Sequence, residues 1–495
     1  MNFIYPGGTT VYIRESGGVK QFSTNQTSWT PITFPVNVSN SNTSLGLLII
    51  EFITDITISS PSEYFDCASS HLQFGSSSLK NDGSRPVITV NASNYDGFIA
   101  NGDFSFTGQS NIYVYNLVIN GTGGSLQVGA GWLGKKGFGN SSSQNNIINC
   151  STSGNINGTN SGGILGSYAG TGGGADVNII NCNSSGSIDN TCGGIVGGYA
   201  GYNGGDVFCR FCYSTGFIGQ DAGGIFGQYA GYLAGSTVAS GCYSTGYIFI
   251  SAGGIYGRYA ANTNGSATSI NCYSTGNIDN NAGGIVGENA NVSPASSTSV
   301  RNSYTTGFLL GPQSGGIFGN TIFGQAINCY AANGSWNQST ANTILTGTPT
   351  SSNVGSVWIR SAVNQPYELN EIGYTPYNTT NINTSGTPSL ITSYNQNIFV
   401  GDSTVPAIVS GSSYTILDSY PNITINSSTG AISTTQNTTV GSYTIYIRNV
   451  QGTGYSITQF NLTVSSQQNN SSSWLLLFLL FRRYKRKRYP WLPIN

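Results

Sequence analysis

Hydrophobic and polar residues alternate in short runs along most of the chain, and glycine or asparagine separates one run from the next. A period of two is typical of β-strands with one buried face, whereas an amphipathic helix needs apolar residues every three to four positions. Early runs of this kind are Leu47–Ile50, Val87–Val90 and Ile112–Tyr115. The pattern predicts an all-β protein with many short strands and turns.

A repeat of about 30 residues dominates the middle of the chain. Its first marker is Gly-Gly-Ile followed by an apolar residue and Gly, and it begins at Gly162, Gly193, Gly223, Gly253, Gly283 and Gly315, in steps of 31, 30, 30, 30 and 32 residues. Its second marker keeps the same spacing, at Cys150, Cys182, Cys212, Cys242, Cys272, Ser303 and Cys329. A unit this short cannot bury its apolar face alone, so the repeat predicts coils stacked into a β-solenoid.

Equivalent residues of neighbouring coils are expected to lie above one another at about 4.8 Å, the spacing of paired strands. In one unit, alternation predicts that Ile270, Cys272 and Ser274 point inward, with Asn271 and Tyr273 outward. Two isoleucine columns are expected inside beside the cysteine column: Ile164, Ile195, Ile225, Ile255, Ile285 and Ile317, and then Ile156, Ile188, Ile218, Ile248, Ile278 and Leu309. Three columns predict three short sheets per coil, and we expect a right-handed β-helix.

The repeat carries a family resemblance. The units GGIVG and NCYSTGNI resemble the GLUG-motif repeat of adhesin-like and haemagglutinin-like surface proteins, over residues 147–335. The opening stretch, YPGGTTVYIRESGGVKQFSTNQTSWTPITFPVNVSN, is similar to the start of uncharacterised repeat proteins of giant amoebal viruses of the mimivirus type. The resemblance implies a solenoid with a role at a virion or cell surface. It carries little information on activity, because the motif residues are structural.

The same patterns divide the chain into segments. We expect an N-terminal cap in residues 1–44, irregular first coils in 45–140, the repeat solenoid in 141–340, a final coil and linker in 341–387, and an immunoglobulin-like sandwich in 388–465. The sandwich is predicted by alternating runs that start at Ile423, Ile432, Gly441 and Phe460. Its runs are similar to the Ig-like modules of bacterial surface proteins, although the paired cysteines and core tryptophan of antibody domains are missing.

A tail, residues 466–495, follows the sandwich. Only 7% of all residues are charged, against about 25% in ordinary globular proteins, yet six basic residues cluster here. The eight apolar residues from Trp474 to Phe481 make a helix of about 12 Å, far short of a bilayer core of about 30 Å. The residues expected to contact an anionic membrane surface are Trp474, Phe478, Phe481, Arg482, Arg483, Lys485, Arg486, Lys487 and Arg488. A sorting signal and nucleic-acid binding are the alternatives.

The start of the chain, Met1 to Pro6, lacks the basic and apolar regions of a secretory signal. We therefore expect no signal peptide, and a location in a virion or at a cell surface, in contact with a membrane through the tail.

Residues suited to chemistry are sparse. The single histidine, His71, excludes a histidine-based triad or zinc cluster. Cys209 and Cys212 have redox spacing but occupy repeat positions, so we expect thiols, no metal and no cofactor. The recurring acids Asp176 with Asp206, and Asp189 with Asp279, have only Arg210, Arg258 and Arg301 as basic residues within 141–340. These acidic and basic residues are too sparse to form a convincing catalytic site, so we expect that the protein is not an enzyme. The alternative function is that of a β-helix polysaccharide lyase or glycoside hydrolase.

Two tyrosine columns are the better candidates for binding. One contains Tyr168, Tyr199, Tyr229 and Tyr259, and the other contains Tyr213, Tyr243, Tyr273, Tyr304 and Tyr330. The second column is predicted to face solvent, where aromatic rings can stack on sugars; the alternative is stacking that only stabilises the sheet. The sequence thus predicts a structural or adhesive rod whose partners are host glycans or neighbouring structural proteins, with nucleic acid as a third class of partner.

Overall fold

The computed structural model describes residues 1–331, apart from 77–79, 81–83, 104–106, 294, 312, 321–323 and 328. Beyond these it describes residues 344–346, 358–359, 368–369, 394–399, 413–416, 422–428, 431–435, 437–451 and 454–465. The chain forms two compact units, Met1–Asn381 and Ile382–Asn495. The helical structure within the described residues is one 3₁₀ turn, Thr43–Leu45. The predicted all-β class is confirmed.

The first unit is a parallel β-solenoid with two long sheets along its axis. The thirteen-stranded sheet contains Thr10–Ser16, Val19–Ser23, Thr30–Pro31, Leu48–Phe52, Leu72–Gly75, Ile112–Tyr115, Asn145–Ile148, Asp176–Ile180, Asp206–Arg210, Ser236–Ser240, Ser266–Ile270, Ser297–Arg301 and Gln325–Ile327. The eleven-stranded sheet contains Ile56–Ile58, Val87–Val90, Val118–Asn120, Ser151–Ser153, Asn183–Ser184, Tyr213–Ser214, Tyr243–Ser244, Tyr273–Ser274, Tyr304–Thr305, Cys329–Ala331 and Ile344–Thr346. The predicted solenoid is confirmed.

The third side of the coil differs from the expected continuous sheet. It is a sheet only in the first coils, where Asn2–Tyr5, Val36–Asn40, Phe65–Cys67 and Ile99–Ala100 pair in parallel. It continues as single-residue bridges, from Ile99 to Gly134, then Leu165, Val196, Phe226, Tyr256, Val286 and Phe318. The physical reason is the Gly-Gly turn, which leaves too little extended backbone in each coil for a strand.

The predicted cysteine column is confirmed. Cys150, Cys182, Cys212, Cys242 and Cys272 are fully buried, and all nine cysteines of the chain are free thiols. The thiols also satisfy backbone groups. The Cys212 Sγ donates to the carbonyl oxygens of Ile179 and Arg210, each at 3.4 Å. Because a hydroxyl can make the same bond, Ser303 fits the column and donates to the Arg301 carbonyl at 2.9 Å.

The inward orientation predicted for Ile270 is wrong. Ser269 is fully buried, whereas Ile270 is only half-buried on the outer face. Asn271 has a φ of 56° and forms a corner between the two long sheets. A left-handed residue breaks the extended backbone, so the alternation restarts at Cys272. Cys272 and Ser274 do point inward, as expected.

Both isoleucine columns lie inside, although Leu309 at the end of one is only partly buried. The residue after each Gly-Gly-Ile is buried as well, which the sequence reasoning missed. Among these residues Tyr256 is fully buried, and its hydroxyl lies 3.0 Å and 2.9 Å from the carbonyl oxygens of Thr237 and Thr268. The turn after Gly-Gly therefore inserts two side chains into the core instead of one.

The N-terminal segment covers one end of the thirteen-stranded sheet. Thr10–Ser16 pairs in parallel with Leu48–Phe52, and its other edge pairs antiparallel with Val19–Ser23, which in turn pairs with Thr30–Pro31. An open sheet edge is a template for aggregation, and this hairpin occupies it.

Outside the solenoid sheets, Trp358–Ile359 pairs antiparallel with Glu368–Leu369. The second unit contains a four-stranded sheet and a hairpin. The sheet is formed by Tyr394–Phe399, Gly454–Ser465, Gly441–Gln451 and Ser413–Ile416 in that spatial order, and the hairpin by Ile423–Ile425 and Ile432–Thr434. The strands predicted at Ile423, Ile432, Gly441 and Phe460 are therefore present.

Candidate functional site

The second predicted tyrosine column stacks on the outer face of the eleven-stranded sheet. The ring centroids of Tyr213 and Tyr243 lie 4.7 Å apart, those of Tyr243 and Tyr273 4.8 Å, and those of Tyr273 and Tyr304 5.1 Å. The ring planes deviate by only 3° to 7°. Tyr330 continues the backbone register beyond Tyr304, although its side chain lies outside the described residues.

Stacking hides the ring faces of this column. Each inner ring lies between its two neighbours, so neither of its faces is open to other molecules. Tyr243 and Tyr304 are each only 6% exposed, whereas Tyr213 and Tyr273 are half-buried. Stacking on a sugar requires a free ring face, so this geometry supports the stabilising role of the column. Glycan contact through these tyrosines stays a prediction.

The first tyrosine column forms a second stack, capped by cations. Tyr168, Tyr199, Tyr229 and Tyr259 follow one another at 4.8 to 4.9 Å between ring centroids. Tyr202 and Tyr232 pack edge-on against them. The Lys136 Nζ lies 5.4 Å from the Tyr168 ring centroid, and the Arg258 guanidinium carbon lies 4.5 Å from the Tyr259 ring centroid. The two end rings thus meet cations, which aromatic faces attract.

Arg258 also joins three successive coils through an ion-pair triad. Its Nε lies 3.0 Å from the Glu288 carboxylate, and its Nη1 lies 3.5 Å from the Asp221 carboxylate. Burial raises the pKa of Asp221, and the nearby Arg258 cation opposes that rise. The guanidinium is thus the shared cationic partner of two mostly buried carboxylates.

Arg258→Met is expected to lower the free energy of unfolding by about 1–3 kcal/mol at pH 7, because two carboxylates lose their shared cation. Without the cation, the pKa of Asp221 rises further above its unfolded value. The loss should therefore shrink as the pH falls through that raised pKa, where the carboxyl becomes neutral. Urea unfolding at pH 7 and at about pH 4.5 measures both effects.

The matched control for Arg258→Met is the triple variant that adds Asp221→Asn and Glu288→Gln. Because this variant has no buried charge at the triad, it should recover stability at pH 7 and lose the pH dependence. Equal stability of the single variant and the native chain at pH 7 would contradict the role assigned to the triad.

A cavity that the sequence reasoning missed lies on the third side of the first coils. Its volume is ≈ 510 Å³, and it is lined by Tyr64, Asp66, Cys67, Asp96, Ala100, Gly102, Asp103, Thr107, Gln127, Val128, Lys135 and Lys136. Asp66 lies within a strand of the four-stranded sheet, and Lys135 follows Gly134, which bridges Ile99. The solenoid thus brings together residues that are about 70 positions apart in sequence by stacking one coil on the next.

Charge is concentrated in this cavity. The Lys135 Nζ lies 3.3 Å from the Asp96 carboxylate and 3.2 Å from the Tyr64 ring centroid. Burial raises the pKa of Asp66, Lys135 opposes the rise, and Asp103 adds to it. Burial also raises the pKa of Tyr64, and the charges of Asp66 and Asp96 add to that shift.

The recurring acids and Cys209 occupy equivalent positions in neighbouring coils. Asp176 pairs in register with Asp206, as expected, and burial raises the pKa of Asp206. Cys209 lies between Ile179 and Ala239 in the register, and burial raises the pKa of its thiol well above the ordinary value. Across the residues that the structure describes, no three His, Cys, Asp or Glu side chains form a group that could hold a metal ion.

The predicted contact residues of the tail, from Trp474 to Arg488, lie outside the described residues. Within the part of the chain that is described, no helix is both long and apolar enough to cross a membrane.

The strand order defines the first unit as a parallel β-solenoid. Comparison of the chain with protein-family models, with curated proteins and with solved structures finds no match. The assignment to this class therefore rests on the pairing of the strands themselves.

Proposed function

We propose that the chain is a structural and adhesive rod of a virion or cell surface, which presents a repetitive face to neighbouring structural proteins or host glycans. The observation that carries this proposal is the unbroken register from coil to coil. Tyr213, Tyr243, Tyr273, Tyr304 and Tyr330 occupy one position in five successive coils. Tyr213 and Tyr273 are half-buried, and a position that recurs at about the 4.8 Å spacing of strands suits a partner that repeats along the rod.

The remaining parts of the chain fit this role. The four-stranded sheet and hairpin of the second unit support an Ig-like sandwich, a module that serves as a spacer in surface proteins. The solenoid is proposed to be right-handed and related to GLUG-motif repeats of giant-virus proteins. The tail, from Trp474 to Arg488, is proposed to anchor the rod at an anionic membrane surface.

A binding and turnover experiment tests the adhesive role. The full chain is expected to retain glycans on an array and to release no sugar from a panel of polysaccharides. Release of reducing ends would instead favour the rival class, a β-helix polysaccharide lyase or hydrolase.

The variant Tyr213→Phe/Tyr273→Phe tests the tyrosine edge itself. Phenylalanine keeps the stacked rings and removes the hydroxyl groups of two half-buried residues. We expect unchanged thermal stability and at least tenfold weaker retention of any glycan bound through this face. The same substitution at Tyr199 and Tyr229 is the control, because those rings stack on a different face. Retention that is equal in the native chain and in the Tyr213 and Tyr273 variant would contradict the prediction.

A further inference from the structure

The cavity between Asp66 and Lys136 combines groups of opposite character. Three carboxylates, Asp66, Asp96 and Asp103, accept hydrogen bonds, and two ammonium groups, Lys135 and Lys136, donate them. Such a density is exceptional in a chain with only 7% charged residues. All five of these charged side chains line the same cavity.

The presence of both carboxylates and ammonium groups in the cavity favours a neutral polar ligand over a charged one. A cationic ligand would meet both ammonium groups, and an anionic ligand would meet three carboxylates. A hydroxyl group donates and accepts at once, so a neutral ligand with many hydroxyl groups can bond to both kinds of side chain. A metal ion is a poorer candidate, because the described acidic residues form no group of three suited to one.

The size and lining of the cavity fit such a ligand. Its ≈ 510 Å³ falls within the range of about 300–1,000 Å³ of small-molecule sites. Val128 is 62% exposed at its rim and offers an apolar contact for the C–H face of a sugar ring. Lys135 is held by Asp96 and Tyr64, so part of the polar lining is fixed before a ligand arrives.

From these features we propose that the cavity binds a carbohydrate, with Asp66 and Lys136 bonding to its hydroxyl groups and Val128 packing on its apolar face. The proposal goes beyond the role given to the tyrosine column, which lies on other coils and another face.

Asp66 is expected to lower the stability of the folded chain at neutral pH. Because its pKa in the folded chain is raised, the folded state holds the proton more tightly than the unfolded state does. The stability of the native chain therefore falls as the pH rises from the ordinary value of 3.8 through the raised pKa. Asp66→Asn should raise the melting temperature at pH 7, and the difference should disappear below pH 3.8.

Binding is measured with the full chain on an array of plant, microbial and animal glycans, followed by calorimetry with the oligosaccharide that is retained best. Asp66→Asn and Lys136→Met are each expected to weaken binding at least tenfold. Asp176→Asn, the same chemical change on the thirteen-stranded sheet away from the cavity, should bind like the native chain.

The outcomes separate this proposal from the adhesive role of the tyrosines. Binding that is lost in Asp66→Asn and kept in Tyr213→Phe/Tyr273→Phe supports the cavity. The reverse pattern, or a native chain that retains no glycan, overturns it. Sugar release that Asp66→Asn abolishes would end the proposed non-enzymatic role and would still locate the carbohydrate in the cavity.

Discussion

Gly224→Ala is expected to destabilise the solenoid by about 3 kcal/mol or more. A Cβ atom at this position would collide with the carbonyl oxygen of Gly254 in the next coil and would lie 2.7 Å from the Ser244 Cβ. Backbone cannot move aside as a flexible side chain can. The coils must therefore separate, which weakens the contact between neighbours on which a solenoid depends.

Gly173→Ala is the matched control for this substitution. A Cβ atom at Gly173 meets nothing within 4 Å, so the same chemical change should leave stability within about 0.5 kcal/mol of the native value. Thermal unfolding followed by far-ultraviolet circular dichroism compares the three proteins. A Gly224→Ala variant that melts together with Gly173→Ala would show that the coils stack less closely than the register indicates.

The repeat made most of the solenoid predictable. Because a period of 30 residues recurs in sequence, Cys212 and Cys242 had to occupy equivalent positions whatever the exact path of the coil. The path itself was harder to predict. The orientation of Ile270 depends on the left-handed backbone conformation of Asn271 at the corner between two sheets. The periodicity of the sequence does not reveal this local conformation.

Tyr256 illustrates a second limit. Phe226 and Val286 occupy the same position in the neighbouring coils, so the sequence did not predict a hydrogen-bond partner for the Tyr256 hydroxyl group. The structure shows a buried hydroxyl that bonds to two carbonyl oxygens at the edge of the core. These carbonyl oxygens come from the paired strands Ser236–Ser240 and Ser266–Ile270 of two adjacent coils, and a single repeat unit does not contain both.

The cavity was beyond the reach of the sequence for a related reason. Asp66, Asp96 and Lys135 stand on successive coils of the irregular region, where no clean period aligns them. In the structure, Ile99 pairs with both Phe65 and Gly134, and this pairing brings the segments that contain Asp66, Asp96 and Lys135 together. A sequence signal did exist, because charges are rare in this chain and several fall between residues 64 and 136. Because the sequence does not show which residues of these irregular coils lie side by side, the charged residues could not be assigned to one site.

Cys212→Asp should be at least as damaging as Gly224→Ala, with an expected loss of at least about 4 kcal/mol in the free energy of unfolding at pH 7. The side chain is fully buried between Cys182 and Cys242, so a carboxylate there would have no water and no cation. Burial should raise the pKa of the new aspartate, and the loss should be smaller at about pH 4, where its neutral form is favoured.

Cys212→Ser separates the effect of charge from that of a missing thiol. Ser303 occupies the equivalent position two coils beyond Cys242, accepts from the Cys272 amide at 3.1 Å and donates to the Arg301 carbonyl at 2.9 Å. A serine at 212 can donate to the Arg210 carbonyl in the same way, so we expect a loss within about 1 kcal/mol. Urea unfolding at both pH values measures the two variants. If Asp and Ser were equally tolerated, position 212 would have to face solvent, and the cysteine column could not be the interior spine that holds the coils in register.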